Sequence, residues 1–272
     1  MSSCALHEWE LTPQTSAFYR DVLLTLGAAQ VPFLIGGAYA LAHYVGTTRQ
    51  TKDLDIFVHP DDAAGALAVL AAVGYDTDLT FPHWLGKVCY GNECIDVIFS
   101  SGNGIATVDA DWFKYAPTAD ILDVVVQLCP PEEMLWSKAY VMERERYDGA
   151  DVLHLLHARG RQLDWRRVLN RFAGHWPLLL SYLVLFGFVY PSEASKIPTW
   201  VMHELLGRLP GGTPYASTAG RLCQGTLLSR AQYLADIECW GYDDARLLPA
   251  GHMTAQDIAH WTAAIADEKG ST

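Results

Sequence analysis

Basic residues are scarce in this sequence: 19 Lys and Arg stand against 31 Asp and Glu, a formal net charge of −12. A protein that coats nucleic acid without regard to sequence needs the opposite balance, so that class is excluded. Charge of either sign is modest, at 18% of residues, while 50% are hydrophobic, which excludes an intrinsically disordered chain. Cysteine is sparse and scattered, at positions 4, 89, 94, 129, 223 and 239. Only Cys89 and Cys94 are close, and Cys-x4-Cys without a second pair or nearby histidines is not a zinc pattern. Isolated cysteines among apolar neighbours, such as Cys129 and Cys239, read as core residues, so reduced thiols and a cytoplasmic protein are expected. The N-terminus lacks the basic region and apolar core of a signal peptide. The longest apolar run, Pro177 to Tyr190, carries Ser181 and Gly187 and falls short of the ~18–20 residues a bilayer demands. It reads as a buried helix of a soluble protein with no membrane partner. Internal repeats and low-complexity tracts are missing too.

What is there begins with Leu34-Ile-Gly-Gly-Ala38, followed by Asp53-Leu-Asp55-Ile-Phe-Val58. A glycine pair opening a helix lets the backbone approach a ligand and offers free N–H groups to phosphate. A tight turn needed only for packing would use Gly36 and Gly37 equally well. Alternate strand residues share a face, so Asp53 and Asp55 project together with Leu54 and Ile56 behind them. Two like charges so close disfavour each other's ionisation unless a cation intervenes. A divalent metal removes that cost, and paired ions clamp both sides of a phosphoryl displacement. A third carboxylate is expected on a neighbouring strand. Asp96 is the candidate, within Glu93-Cys-Ile-Asp-Val-Ile-Phe99 and behind the turn signal Gly91-Asn92. The competing reading has Asp96 simply facing water on a one-sided sheet.

Hydrophobic periodicity and turn residues predict a helix over 13–28 capped by Thr12, then strand 33–35, helix 38–44, strand 54–58 and a helix over 61–73 ended by Gly74. Strands are expected next at 75–79, 84–90 and 93–99, with another at 121–128 that closes or extends the sheet. Beyond Pro131 the pattern turns helical: 131–143, 148–158, 164–173, 176–189, 198–208, 226–239 and 254–267, with loops at Gly211–Pro214 and Leu248–Gly251. The expected fold is α/β (α+β): a small mixed sheet with packed helices over 1–128, then a helical domain over 129–272. Between Arg144 and Arg171 seven arginines oppose four acidic residues, 7 − 4 = +3 within a negative chain. That segment is either a solvated helix face or an anion-binding surface for a triphosphate or an RNA. His154 and His157 share a helix face but lack a third ligand, so no metal is assigned to them.

The glycine pair, the block Arg49-Gln-Thr-Lys-Asp-Leu-Asp-Ile-Phe-Val58 and Ile95-Asp96-Val97 together resemble the DNA polymerase β-type nucleotidyltransferase superfamily. Two branches are similar: the aminoglycoside nucleotidyltransferases and the abortive-infection or toxin–antitoxin nucleotidyltransferases. The resemblance covers 31–99 well and 130–157 loosely. It implies a Mg2+-dependent transferase, with two ions, that moves a nucleoside monophosphate from a nucleoside triphosphate onto an acceptor hydroxyl and releases pyrophosphate. Asp53, Asp55 and Asp96 would be the metal ligands and reacting-centre carboxylates, and Gly36, Gly37 and Arg49 would hold the triphosphate. Lys52 serves at most to balance local charge. The superfamily often has serine where this chain has Gly37, so a hydroxyl for the terminal phosphate is lacking there. Glu132 to Lys138 and Arg144 to Asp151 resemble blocks of the toxin-type branch, which assigns Lys138 to the nucleotide phosphates and gives Asp151 a nucleotide-binding or domain-bridging role. Asp148 doubles as a helix cap, and Arg144 and Arg146 stay unassigned. The acceptor is a tRNA end, which suits the arginines and would bring a cognate antitoxin as partner, or a small polycation such as an aminoglycoside, which suits the acidic charge. A protein hydroxyl is a third acceptor. A non-catalytic nucleotide-binding module is the reading from another class.

Overall fold

The computed structural model of the protein describes residues 11–47, 53–209 and 220–270. The chain divides into two compact units, one running to Pro130 and taking in Ala255–Trp261, the other made of Pro131–Thr254 and the residues after Trp261.

The first unit opens with α1 (Pro13–Ala28), whose Thr12 cap accepts the Thr15 N–H at 3.1 Å while Pro13 takes the first helical position. Then come β1 (Leu34–Ile35), α2 (Gly37–Val45), β2 (Leu54–Phe57), α3 (Pro60–Ala72), β3 (Asp76–Phe81), β4 (Leu85–Tyr90) and β5 (Glu93–Ile98). The sheet order is β1-β2-β5-β4-β3, with β2 and β5 parallel and every other pairing antiparallel. Alternation sorts the side chains. Leu54, Ile56, Val88, Ile95 and Val97 are buried together on one face, beside α3 with its buried Ala66, Leu67 and Leu70. Gly86 lies on that face because a Cβ there would meet Leu67 Cδ1 at 2.8 Å. The opposite face carries Asp55, Asp96 and Lys87, flanked by Phe57, Ile98 and Leu85.

The expected strand over 121–128 is instead a separate hairpin, β6 (Thr118–Ile121) and β7 (Val124–Gln127), preceded by the short helix α4 (Ala110–Lys114). Its turn residues Leu122 and Asp123 both have positive φ, at 54° and 58°, the geometry of a tight hairpin turn but without the glycine that advertises one. Its second strand runs on to β1, where Leu128 bridges Ile35 and Cys129 N–H donates to Ile35 O at 2.8 Å. In the same unit Trp261, near the start of α11 (Ala255–Gly270), lies over Gly102, and His260 packs on Phe81.

Cys89 and Cys94 are disulfide-bonded across the β4–β5 ladder, where they are direct partners. This corrects the expectation of reduced thiols, and the cytoplasmic expectation loses that support. Cys129 and Cys223 are buried and Cys239 is exposed, each outside any disulfide.

The second unit is mostly helical: α5 (Pro131–Lys138), α6 (Gly149–Arg159), α7 (Trp165–Phe172), α8 (Trp176–Val189), α9 (Thr199–Gly207) and α10 (Leu234–Glu238). It also holds a two-stranded pairing, β8 (Leu222–Cys223) with β9 (Asp243–Asp244), beside which the buried Arg246 donates to Asp244 Oδ2 at 2.7 Å. Two expected helices are shortened. The one over 131–143 stops at Lys138, after which Glu143 N–H bonds Arg146 O and Asp148 N–H bonds Val141 O, folding the chain back. The one over 226–239 is broken at Ser229, whose hydroxyl donates to Glu143 while accepting the N–H groups of Ala231 and Gln232. The helical run Trp165–Val189 is, by length and composition, long and apolar enough to cross a membrane, unlike the shorter run read from sequence. Leu179, Tyr182, Leu183 and Phe186 of α8 are buried, whereas Phe188 is 82% exposed.

Candidate functional site

The site is built where β1 turns into α2. Gly36 N–H donates to Asp55 O at 3.0 Å, stitching the turn to β2. Gly37 has φ +52°, and a Cβ there would fall 1.6 Å from Asp55 Oδ2. Glycine is therefore required twice, by its backbone and by its neighbour. The N-cap of α2 is Gly36, which has no side chain to cap the helix, and the Asp55 carboxylate stands at this helix end, whose dipole favours negative charge.

Parallel pairing sets Asp55 directly opposite Asp96, and antiparallel pairing sets Asp96 opposite Lys87. Lys87, Asp96 and Asp55 thus form one row across three strands, within the reach of directly opposed side chains. Lys87 Nζ donates to Asp96 Oδ1 at 2.8 Å. Burial works against charge on Lys87, but the bond to Asp96 and the charges of Asp96, Asp53 and Asp55 outweigh it and raise its pKa. Asp53 is exposed just ahead of β2. The buried Tyr19 of α1 senses the same group: burial, then Asp53, Glu93 and Asp55, push its hydroxyl up to about 12. Tyr39 of α2 is raised by burial, then by Tyr19 and Asp55.

Three oxygen-donor carboxylates suit a hard divalent cation such as Mg2+. Their chemistry fits, and the rung of Asp55 and Asp96 beside Asp53 brings all three within reach of Lys87's charge. Among the described residues, however, no group of three His, Cys, Asp or Glu side chains is gathered as a metal site, and Lys87 occupies Asp96. Arg49 and Lys52 lie outside the described residues.

In the second unit Lys138 Nζ donates to Asp148 Oδ2 at 2.9 Å and to Asp151 Oδ2 at 2.8 Å, with all three side chains nearly buried. Arg146 donates to Asp148 Oδ1 at 3.3 Å. Burial alone would raise the Asp148 carboxyl, but Lys138 and Arg146 hold it below its ordinary value. Asp148 does not cap α6 with its side chain; the lysine claims it instead. The arginine-rich segment is partly turned inward: Arg167 pairs with Glu132 and Glu133, and Arg171 bonds Glu133 at 3.2 Å.

Sequence reading missed Lys87, Tyr19 and Tyr39. Lys87 had a usable signal. A two-residue turn at Gly91-Asn92 pairs Tyr90 with Glu93, and counting outward sets Cys89 opposite Cys94 and Lys87 opposite Asp96.

No protein-family model and no curated protein matches the chain. It is similar to solved structures of nucleotidyltransferases. The antibiotic-resistance factor ANT(2'')-Ia is 15% identical at a TM-score of 0.42, covering 67% of this chain and 96% of its own. The lincomycin-bound lincosamide antibiotic adenylyltransferase LnuA is 14% identical at 0.39, covering 53% of this chain and 96% of its own. An antigenic nucleotidyltransferase-like protein from Paracoccidioides brasiliensis is 13% identical at 0.36, covering 63% of this chain and 92% of its own.

Proposed function

We propose that the chain is an enzyme, a nucleotidyltransferase that moves a nucleoside monophosphate from a nucleoside triphosphate onto an acceptor hydroxyl. One observation carries this reading: the in-register rung of Asp55 and Asp96 stands beside a glycine turn whose Cβ-less backbone abuts Asp55. Gly36 and Gly37 present the start of α2 to the triphosphate, with Arg49 as a bidentate clamp. Asp53 and Asp55 hold Mg2+, which when bound supplies charge neutralisation at the phosphate under attack. Asp96 orients the acceptor hydroxyl and takes its proton as pyrophosphate leaves.

For the acceptor, a small polycationic molecule is favoured over a tRNA end. The net charge of −12 attracts polycations. Arg167 and Arg171, two of the arginines on which the RNA case rests, are committed to Glu132 and Glu133. The same commitment weakens the case for a toxin with a cognate antitoxin.

The test offers each α-labelled triphosphate with Mg2+ to the protein alone, to bulk tRNA and to an aminoglycoside panel. Label on the drug with release of pyrophosphate is expected, lost by at least about 100-fold in Asp53→Asn. Wild-type rates in that variant would remove the metal assignment. Nucleotide binding without pyrophosphate release would make the chain a binding module.

A further inference from the structure

The row Lys87–Asp96–Asp55 contains a cation of its own. We infer that Lys87 is a built-in substitute for one of the two metal ions, so that the site takes a single divalent ion per bound nucleotide, on Asp53 and Asp55. The inference rests on the nucleotidyl-transfer reading above and narrows it.

Three features fix the lysine. The ladder sets it directly opposite Asp96, so its position does not depend on a flexible loop. On one side of the row the Cys89–Cys94 disulfide ties β4 to β5, and on the other Leu85, Ile98 and Phe57 line up in register. Between these walls the four-carbon stem delivers Nζ to within 2.8 Å of Asp96 Oδ1. A second dication bridging Asp55 and Asp96 would have to share that carboxylate with the ammonium, and two cations at contact distance repel strongly in a half-buried site. A lysine ammonium is also a compact point charge with three donors, suited to stand where an ion would. Lys87 is then a positioning residue: it holds Asp96 turned toward the acceptor hydroxyl, a task a second ion would otherwise perform.

The experiment counts metal. The full-length protein is dialysed against Mn2+ and α,β-methylene analogues of the four nucleoside triphosphates, and bound Mn2+ and bound analogue are both measured. One Mn2+ per retained analogue is expected in the wild type, rising to two in Lys87→Met. Two per analogue in the wild type would overturn the inference, as would a count that stays at one in Lys87→Met. Lys87→Gln gives the same comparison should the methionine variant melt early, and the wild-type count stands without either. A different failure marks the parent reading: if no analogue is retained, or if Asp53→Asn retains as much Mn2+ as wild type, nucleotidyl transfer at this site falls and takes the single-ion inference with it.

Discussion

Gly37 and Asp55 leave no room between them: the position of a Cβ on the glycine is 1.6 Å from a carboxylate oxygen of the aspartate. Gly46, at the other end of α2, also has positive φ, +75°, but nothing lies within 4 Å of its Cβ position. The two glycines separate strain from function. Gly46→Ala is expected to cost about 1 kcal/mol of stability and leave transfer intact. Gly37→Ala adds displacement of Asp55 and is expected to cut transfer at least about 100-fold. Thermal melts alongside transfer assays check both, and equal activity in the two variants would refute the role of Asp55.

Asp148 predicts acid sensitivity. Its folded pKa lies below the ordinary 3.8 because Lys138 and Arg146 outweigh its burial. Its contribution is therefore present above the unfolded value and lost as pH falls below it toward the folded one. Unfolding midpoints measured from pH 6 down should fall most steeply below about pH 4. Asp148→Asn should flatten that slope and cost about 1.5–3 kcal/mol at neutral pH, since Lys138 loses one of its two carboxylate partners and keeps Asp151.

Arg167 and Arg171 are structural by the same reasoning. Arg167 is 12% exposed and faces two glutamates, and Glu133 is fully buried. Arg167→Met is expected to destabilise the protein by about 3–5 kcal/mol. Below its melting temperature the variant should keep its KM for nucleotide. A raised KM with unchanged stability would return the arginine to an anion-binding role.

The Cys89–Cys94 bridge closes a very short loop, separated by 5 in sequence. Chain-entropy arguments give about 2 kcal/mol for a loop of that size. Reduction, or Cys89→Ser with Cys94→Ser, should lower unfolding stability by that amount in a denaturant titration.

Much of this was legible in the residues. The glycine turn, the carboxylates at 53 and 55 and the strand bearing Asp96 can be read from alternation and turn chemistry, and the structure sets Asp96 beside Asp55. What stayed hidden depends on contacts between distant parts of the chain. Ser229 breaks a helix-like stretch only because Glu143 reaches it. Lys138 meets Asp148 only because the backbone doubles back between them. The hairpin at Leu122-Asp123 escaped notice because neither residue is a glycine. The partner of Asp96 could have been counted out from Gly91-Asn92, as could the disulfide.

Strand pairing with a period of two makes the row intolerant of frame. Inserting one residue between Asn92 and Ile95 would swing Asp96 toward α3 and present an aliphatic side chain to Asp55, even though composition and charge hardly change. Divergence along this hairpin is therefore expected to proceed by substitution or by even-numbered changes, never by single-residue steps.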